Sequence, residues 1–281
     1  MNLKEGIRRN FRRRGASYDQ HARVQQQMAD KLLAHCHEDI GAAGRILEVG
    51  CGTGYLTRHL RRLNRRAWLL AVDLDPDLLR RARQRLNHDA GIAWLAMDAE
   101  ELCRGSFHLI IANSVFQWFL KPRETLRRYL ALLAPGGCLA FSAMGPGTFR
   151  ELGQAWQDAA RDLNLSAWPR PAAADFLDWR DWGDLLREVG FREVRMEQAA
   201  LVASYASVLQ LLKTIQQTGA LNPAPRVILP KLYQQMLTTY HRNWGNGSIP
   251  ATYDLIWAVA RKERSGGREE MLGNAWKSVT L

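Results

Sequence analysis

Residues 48 to 54 read Glu-Val-Gly-Cys-Gly-Thr-Gly, an acid followed by three alternating glycines at the end of an apolar run. Glycine accepts a positive φ and lets a ligand come up against bare backbone. The free N–H groups of a helix starting there suit an anionic or polar ligand group. A dinucleotide loop would read GxGxxG, but Tyr55 stands where its last glycine belongs. Asp73 follows Glu48 by about 25 residues, near the spacing at which a doubly wound fold presents an acid to ribose hydroxyls. Its two oxygens can accept both protons of a vicinal diol. Asp98, in Met97-Asp98-Ala99-Glu100, is a third acid of this kind, and Asn113 closes a later apolar run. A lone Asp after a strand serves equally well as a helix N-cap. Three such features in order, each at a strand end, instead trace the rim where open α/β sheets bind ligands.

The elements that must position these residues alternate. Strand-like runs are expected at 45–49, 67–72, 92–96, 107–112 and 138–142, with helical spacing at 55–63, 75–86 and 125–133 between them. Pro76 suits a first helical turn, and Pro135-Gly136-Gly137 stops the third helix. Continuously apolar strands alternating with helices indicate a sheet covered on both faces. The fold class is therefore α/β, a doubly wound, mostly parallel seven-stranded sheet. A helix at 182–189, capped by Gly190, leads into a strand at 191–203, and 252–261 reads as the last strand. A basic N-terminal helical lid at 1–37, a ligand-binding core at 44–143, insertions on the substrate side at 146–180 and 204–245, and a polar, flexible tail at 263–281 complete a single domain. His108 lies in the approach to a buried strand and takes a structural role.

The chain of 281 residues, 47% hydrophobic and 24% charged, has the composition of a globular protein rather than a disordered or fibrous one. Its 39 Lys+Arg against 28 Asp+Glu give a net charge of +11, which favours an acidic partner. Arg8, Arg9, Arg12, Arg13 and Arg14 concentrate that charge near the N-terminus. No apolar run approaches membrane-spanning length and no signal segment follows the basic start, so the reading is a cytoplasmic protein. Cys36, Cys51, Cys103 and Cys138 form no CxxC pair and suggest neither a metal site nor a disulfide framework.

The acid followed by GxGxG is similar to motif I of the class I S-adenosylmethionine (SAM) methyltransferases, and Met97-Asp98-Ala99-Glu100 resembles their adenine-binding segment. More of the chain resembles one family, the malonyl-acyl-carrier-protein (malonyl-ACP) O-methyltransferases of biotin synthesis. The shared residues are Tyr18-Asp19, His21-Ala22, Gln25, Asn113-Ser114, Gln117-Trp118, Leu133-Ala134-Pro135-Gly136-Gly137, Phe141-Ser142, Gly145-Pro146-Gly147-Thr148, Glu151-Leu152 and Pro250-Ala251-Thr252-Tyr253. The resemblance implies that SAM is held by Glu48, Gly50, Gly52, Asp73, Leu74, Asp98, Ala99 and Asn113, with no metal. It also implies methyl transfer to the free malonyl carboxylate, with Tyr18, Gln117, Trp118, Thr148 and Tyr253 around the malonyl group. A carboxylic acid with a pKa near 4 is already ionised at neutral pH, so this chemistry needs no general base.

One departure stands out. Family members often carry a Lys three residues before the Gly-Ala found here at Gly219-Ala220, and this chain has Gln216 there, with Lys213, nearly a turn earlier, as the candidate the resemblance leaves for gripping the substrate carboxylate. Carrier proteins are acidic, so the resemblance gives the Arg8 to Arg14 stretch a docking role beside its alternative as a solvated terminus. Two further readings stay open at this point. One is methylation of another small carboxylate or metabolite, and the other is a non-catalytic SAM-binding partner of a carrier protein or RNA. A nucleic-acid methyltransferase finds no Asn/Asp-Pro-Pro-Tyr or Pro-Cys motif.

Overall fold

The computed structural model describes residues 21–87, 89–218 and 228–264. Two helices, α1 (Arg23–His35) and α2 (His37–Ala42), precede an alternation of β1 (Arg45–Val49), α3 (Tyr55–Leu63), β2 (Trp68–Asp73), α4 (Pro76–Arg85), β3 (Ile92–Ala96) and β4 (Phe107–Asn113). Then follow α5 (Pro122–Leu132), β5 (Leu133–Met144), α6 (Arg150–Asp162), α7 (Trp179–Val189), β6 (Arg192–Tyr205), α8 (Val208–Gln217), α9 (Pro230–Trp244) and β7 (Ile249–Arg261).

The strands form one seven-stranded sheet in the order β3-β2-β1-β4-β5-β7-β6. The junctions from β3 to β5 are parallel, whereas β7 runs antiparallel to both β5 and β6. Side-chain alternation splits the core between two faces. Ile46 packs with Leu32, Leu60 and Trp257 beneath α1 and α3, while Leu47 and Val49 pack with Leu126, Tyr129 and Trp182 beneath α5 and α7. By the same alternation Glu48 shares the face of Ile46, so its buried carboxyl group lies on the side that α1 covers.

The strand and helix order follows the expectation, and the boundaries differ where local chemistry overrides pattern. Strand β5 starts at Leu133, so Pro135-Gly136-Gly137 lies within its first, irregular stretch, with a register shift opposite Phe107 and Leu109. Helix α5 starts at Pro122, three residues before the expected start, because proline suits the first turn. Strand β7 begins at Ile249 rather than 252, and β6 continues to Tyr205. Their long antiparallel ladder pairs Tyr205 with Ile249 beyond the end of β5, an extension that apolar periodicity does not mark. The 146–180 insertion contains the whole of α6.

Two motifs far apart in sequence clasp each other there. Thr148 Oγ1 accepts from Asp254 N at 3.1 Å and donates to Asp254 O at 3.3 Å, and Gly147 N donates to the Asp254 carboxylate at 3.1 Å. Glu151, 6% exposed, accepts from Thr252 N at 2.9 Å and from the Thr252 hydroxyl. The Gly-Pro-Gly-Thr turn and the start of α6 are thereby fixed to β7.

Candidate active site

In an open α/β sheet, ligands bind where the strand order reverses, outside the carboxyl ends of the strands. Here that point lies between β1 and β4. A cleft opens there, lined by Gln25 of α1, Glu48, Gly50, Gly52, Tyr55 and Asn113 among others.

Three glycines of the loop take positive φ: Gly50 at +68°, Gly52 at +53° and Gly54 at +84°. A Cβ on Gly50 would stand 2.3 Å from Val115 Cγ2, so the β4 side leaves no room for one. A Cβ on Gly52 would meet nothing within 4 Å, so the backbone there is bare. The loop is pinned to the carboxyl end of β2. Gly50 N and Cys51 N donate to Val72 O at 2.8 and 3.0 Å. Asp73 accepts from Gly52 N at 2.8 Å through Oδ2 and from Asp75 N at 2.9 Å through Oδ1.

Glu48 is 1% exposed, and its Oε2 has no hydrogen-bond partner among the described residues. Burial raises its pKa to about 8, and burial likewise raises that of Asp73 to about 6. An unpartnered buried acceptor is costly, and a cleft holding one is built for a ligand that carries a donor or a positive charge. Asn113 is oriented by two bonds, donating to Gln25 O at 3.0 Å and accepting from Ser142 Oγ at 2.7 Å. That first bond also ties α1 down over the cleft. Ser142 is the positioning residue for Asn113, a role that its place inside an apolar strand does not signal.

The remaining expected residues are distributed along the rim. Asp73 and Leu74 end β2 beside the cleft, and Asp98 and Ala99 follow β3; none of these four lines the cleft itself. Asp98 caps a short 3-10 turn by accepting from Glu100 N at 3.0 Å. Next to Asn113, Ser114 holds φ +57°, a region seldom adopted by residues other than glycine. Gln117 Nε2 donates to Ser114 O at 2.9 Å, leaving Gln117 Oε1 buried without a partner among the described residues. Trp118 stands edge-on to Phe176 with centroids 5.3 Å apart.

Tyr253 is 4% exposed, packs edge-on against Phe149, and its hydroxyl lies 2.6 Å from that of Tyr205. Tyr205 carries no motif and was not singled out in the sequence. The Thr148 hydroxyl both donates to and accepts from the Asp254 backbone and so holds the turn. Lys213 is exposed on α8. His108 sits at the opposite end of β4 from the cleft, its Nδ1 accepting from Arg45 N at 3.1 Å. Tyr18 and Arg8 to Arg14 lie outside the described residues. Cys36, Cys51 and Cys138 are buried, Cys103 is exposed and all four are free. Among the described residues no group of three His, Cys, Asp or Glu is placed to hold a metal ion, and no helix is long and apolar enough to cross a membrane.

A sheet of this order, with a glycine loop and carboxylates on the rim at its reversal point, defines a class I SAM-dependent methyltransferase. Residues 47–139 match the family model described as a methyltransferase domain. Among solved structures the fold is shared with the YcgJ protein of Bacillus subtilis, at TM-score 0.56 and 14% identity over 82% of this chain and 100% of that one. It is shared too with the N-methyltransferase NodS of Bradyrhizobium japonicum, at TM-score 0.50 and 18% identity over 92% and 98%.

The chain belongs to the malonyl-[acyl-carrier protein] O-methyltransferase family. It is 32% identical to the enzyme of that name from Halalkalibacterium halodurans over 269 residues, covering 92% of this chain and 98% of the relative. It is 34% identical to the one from a Paenibacillus species over 275 residues, covering 92% and 99%.

The bond from Asp73 to the loop gives one direct expectation. Asp73→Ala removes the charged acceptor that holds Gly52 N, a bond worth about 1.5 to 3 kcal/mol, and through the loosened loop should weaken SAM binding roughly tenfold or more. Calorimetry with an unchanged dissociation constant would remove Asp73 from the site.

Proposed function

We propose that this protein transfers a methyl group from SAM to the free carboxylate of malonyl-ACP, forming the methyl ester that primes pimeloyl synthesis for biotin. The observation that carries this reading is the likeness to the malonyl-ACP enzymes over nearly their whole length; in the fold, the Gly-Pro-Gly-Thr and Pro-x-Thr-Tyr segments clasp each other.

The residues present fit the co-substrate. Glu48 offers a buried carboxyl group whose Oε2 is unpartnered among the described residues, Gly50 and Gly52 offer bare backbone, and Asn113 offers an oriented amide; with Asp73, Leu74, Asp98 and Ala99 along the rim, these are the residues that would hold it. When bound, SAM supplies a methyl carbon on a positively charged sulfur.

The nucleophile is a carboxylate and arrives ionised, so the protein has to orient it and exclude water rather than remove a proton. Gln117, Trp118, Tyr253 and, outside the described residues, Tyr18 would surround the malonyl group. The paired hydroxyls of Tyr205 and Tyr253 share one proton between them and keep one over for donation. Burial raises both phenols above their ordinary pKa, so the pair stays neutral. A neutral donor orients a carboxylate without the strong ground-state stabilisation of a full ion pair, which the reaction would have to give up as the charge disappears. Gln216 in place of a lysine agrees with that arrangement. Arg8, Arg9, Arg12, Arg13 and Arg14 would steer the acidic carrier protein.

At saturating SAM, turnover of malonyl-ACP should be flat from about pH 6 to 8.5, because the nucleophile is ionised throughout. A steep rise with a pKa near 6.5 that disappears in His21→Ala or His108→Ala would show a base at work. A methyl-transfer assay offering malonyl-ACP, malonyl-CoA and RNA tests the substrate class, with malonyl-ACP expected to be preferred.

A further inference from the structure

The outer face of α3 and the end of α4 carry positive charge that the cleft does not use. Residues 55 to 87 contain nine arginines and three aspartates, with no lysine or glutamate. An open groove of about 940 Å³ lies along them, lined by Arg58, Arg61, Arg62, Arg65, Arg85 and Asp89 among others.

Its floor is built. Arg61 forks onto Asp89, Nε to Oδ2 and Nη2 to Oδ1 both at 3.1 Å, and Nη1 donates to the carbonyls of Arg65 at 3.0 Å and Ala67 at 2.9 Å. That fork holds the Asp89 carboxyl below its ordinary pKa and uses up the one acid lining the groove. Arg58, Arg62 and Arg65 are exposed, and among the described residues none of them is in an ion pair.

Several arginines elsewhere on the surface are paired. Arg80 pairs with Asp77, Arg123 with Glu188, Arg161 with Asp158 and Arg187 with Asp184. Helix α3 has no acid at all, so its arginines repel one another at a cost of a few tenths of a kcal/mol per pair. Arg58 and Arg62 stand one turn apart on α3, and Arg65 lies just past its end along the same groove. Together these cations present more positive charge than one phosphate neutralises, and a helix carrying successive carboxylates complements them. The groove also abuts the cofactor loop, since Leu86 packs near Gly54 and Arg85 Nη1 donates to Thr53 O at 3.4 Å.

We propose that the α3–α4 groove is a docking surface for an acidic protein helix and, on the function proposed above, for the carrier protein that brings the malonyl thioester. It extends the binding surface beyond the Arg8 to Arg14 stretch.

The test compares wild type with Arg62→Glu/Arg65→Glu and with a control, Arg104→Glu/Arg127→Glu, whose exposed arginines lie outside the groove. At low salt the groove variant should lose roughly tenfold or more in kcat/KM for malonyl-ACP, and the loss should shrink at high salt. Its kcat/KM for malonyl-pantetheine, which has the arm but no protein, should stay within about twofold of wild type, and so should its SAM affinity. The control should behave as wild type on both substrates.

Equal losses on both substrates, no loss on either, or a loss as large in the control would overturn the proposal. So would a variant whose defect is confined to RNA binding, or carrier specificity abolished by neutralising Arg8 to Arg14 alone. Affinity for the unacylated carrier protein, titrated directly, reads the groove independently of turnover. If the wild type methylates neither substrate, the proposed function fails, and the titration still decides whether the groove docks the carrier.

Discussion

A Gly50→Ala protein is expected to lose at least tenfold in affinity for SAM, about 1.4 kcal/mol or more, together with about 2 to 4 kcal/mol of stability. Two costs combine. Gly50 holds φ +68°, and its new Cβ would lie 2.3 Å from Val115 Cγ2. Relief requires the loop to move away from β4 and into the cleft, which is why binding and stability fall together. Gly52→Ala is the internal control. Its φ of +53° imposes the conformational cost, but the added Cβ meets nothing within 4 Å, so its stability loss should be about 1 to 2 kcal/mol. Thermal unfolding and calorimetry on the two variants check this, and equal destabilisation would mean that the close approach of β4 does not shape the loop.

The second large effect is a pH dependence of cofactor binding set by Glu48. Its folded pKa of about 8 lies above the ordinary 4.5 because burial disfavours the carboxylate. Folded, ligand-free protein therefore holds a proton that the unfolded chain has lost. Between those two pH values the protein loses stability as pH rises, by up to about 1.4 kcal/mol per unit. A cationic ligand beside Glu48 favours the carboxylate, so binding should release up to one proton. Affinity for SAM should then rise roughly tenfold or more between about pH 5.5 and 7.5. Asp73, raised to about 6, adds to the slope at the acid end of that window. Calorimetry in buffers of different ionisation enthalpy reads the proton directly. Glu48→Gln should bind more weakly and lose most of the slope, whereas a flat affinity with no proton released in the wild type would place the ligand's charge elsewhere.

How much of this was legible in the sequence depends on the range of the interaction. The glycine loop, Asp73 and Asn113 were readable because each ends an apolar strand, and the doubly wound topology converts strand ends into a common rim. Helix α1 over the cleft was readable only through the family resemblance, since its tie to the site is one bond between the Asn113 side chain and a backbone carbonyl. The tie that fixes Thr148 was not legible because its partner, the backbone of Asp254, lies 106 residues away. Tyr205 was missed for a similar reason: it meets Tyr253 only through the long β6–β7 ladder, whose extension past β5 no local period announces. The arginine groove was hidden in a different way. The sequence shows the charges, but only the folded chain shows that Arg61 consumes Asp89 and leaves its neighbours without an acid.

The most direct measurement is the mass spectrum of malonyl-ACP after incubation with the protein and SAM. The expected result is the gain of a single methyl on the malonyl group, removed again by mild alkaline hydrolysis, as an ester must be. An unmodified carrier protein, or a methyl that survives hydrolysis, would contradict methyl transfer to the malonyl carboxylate.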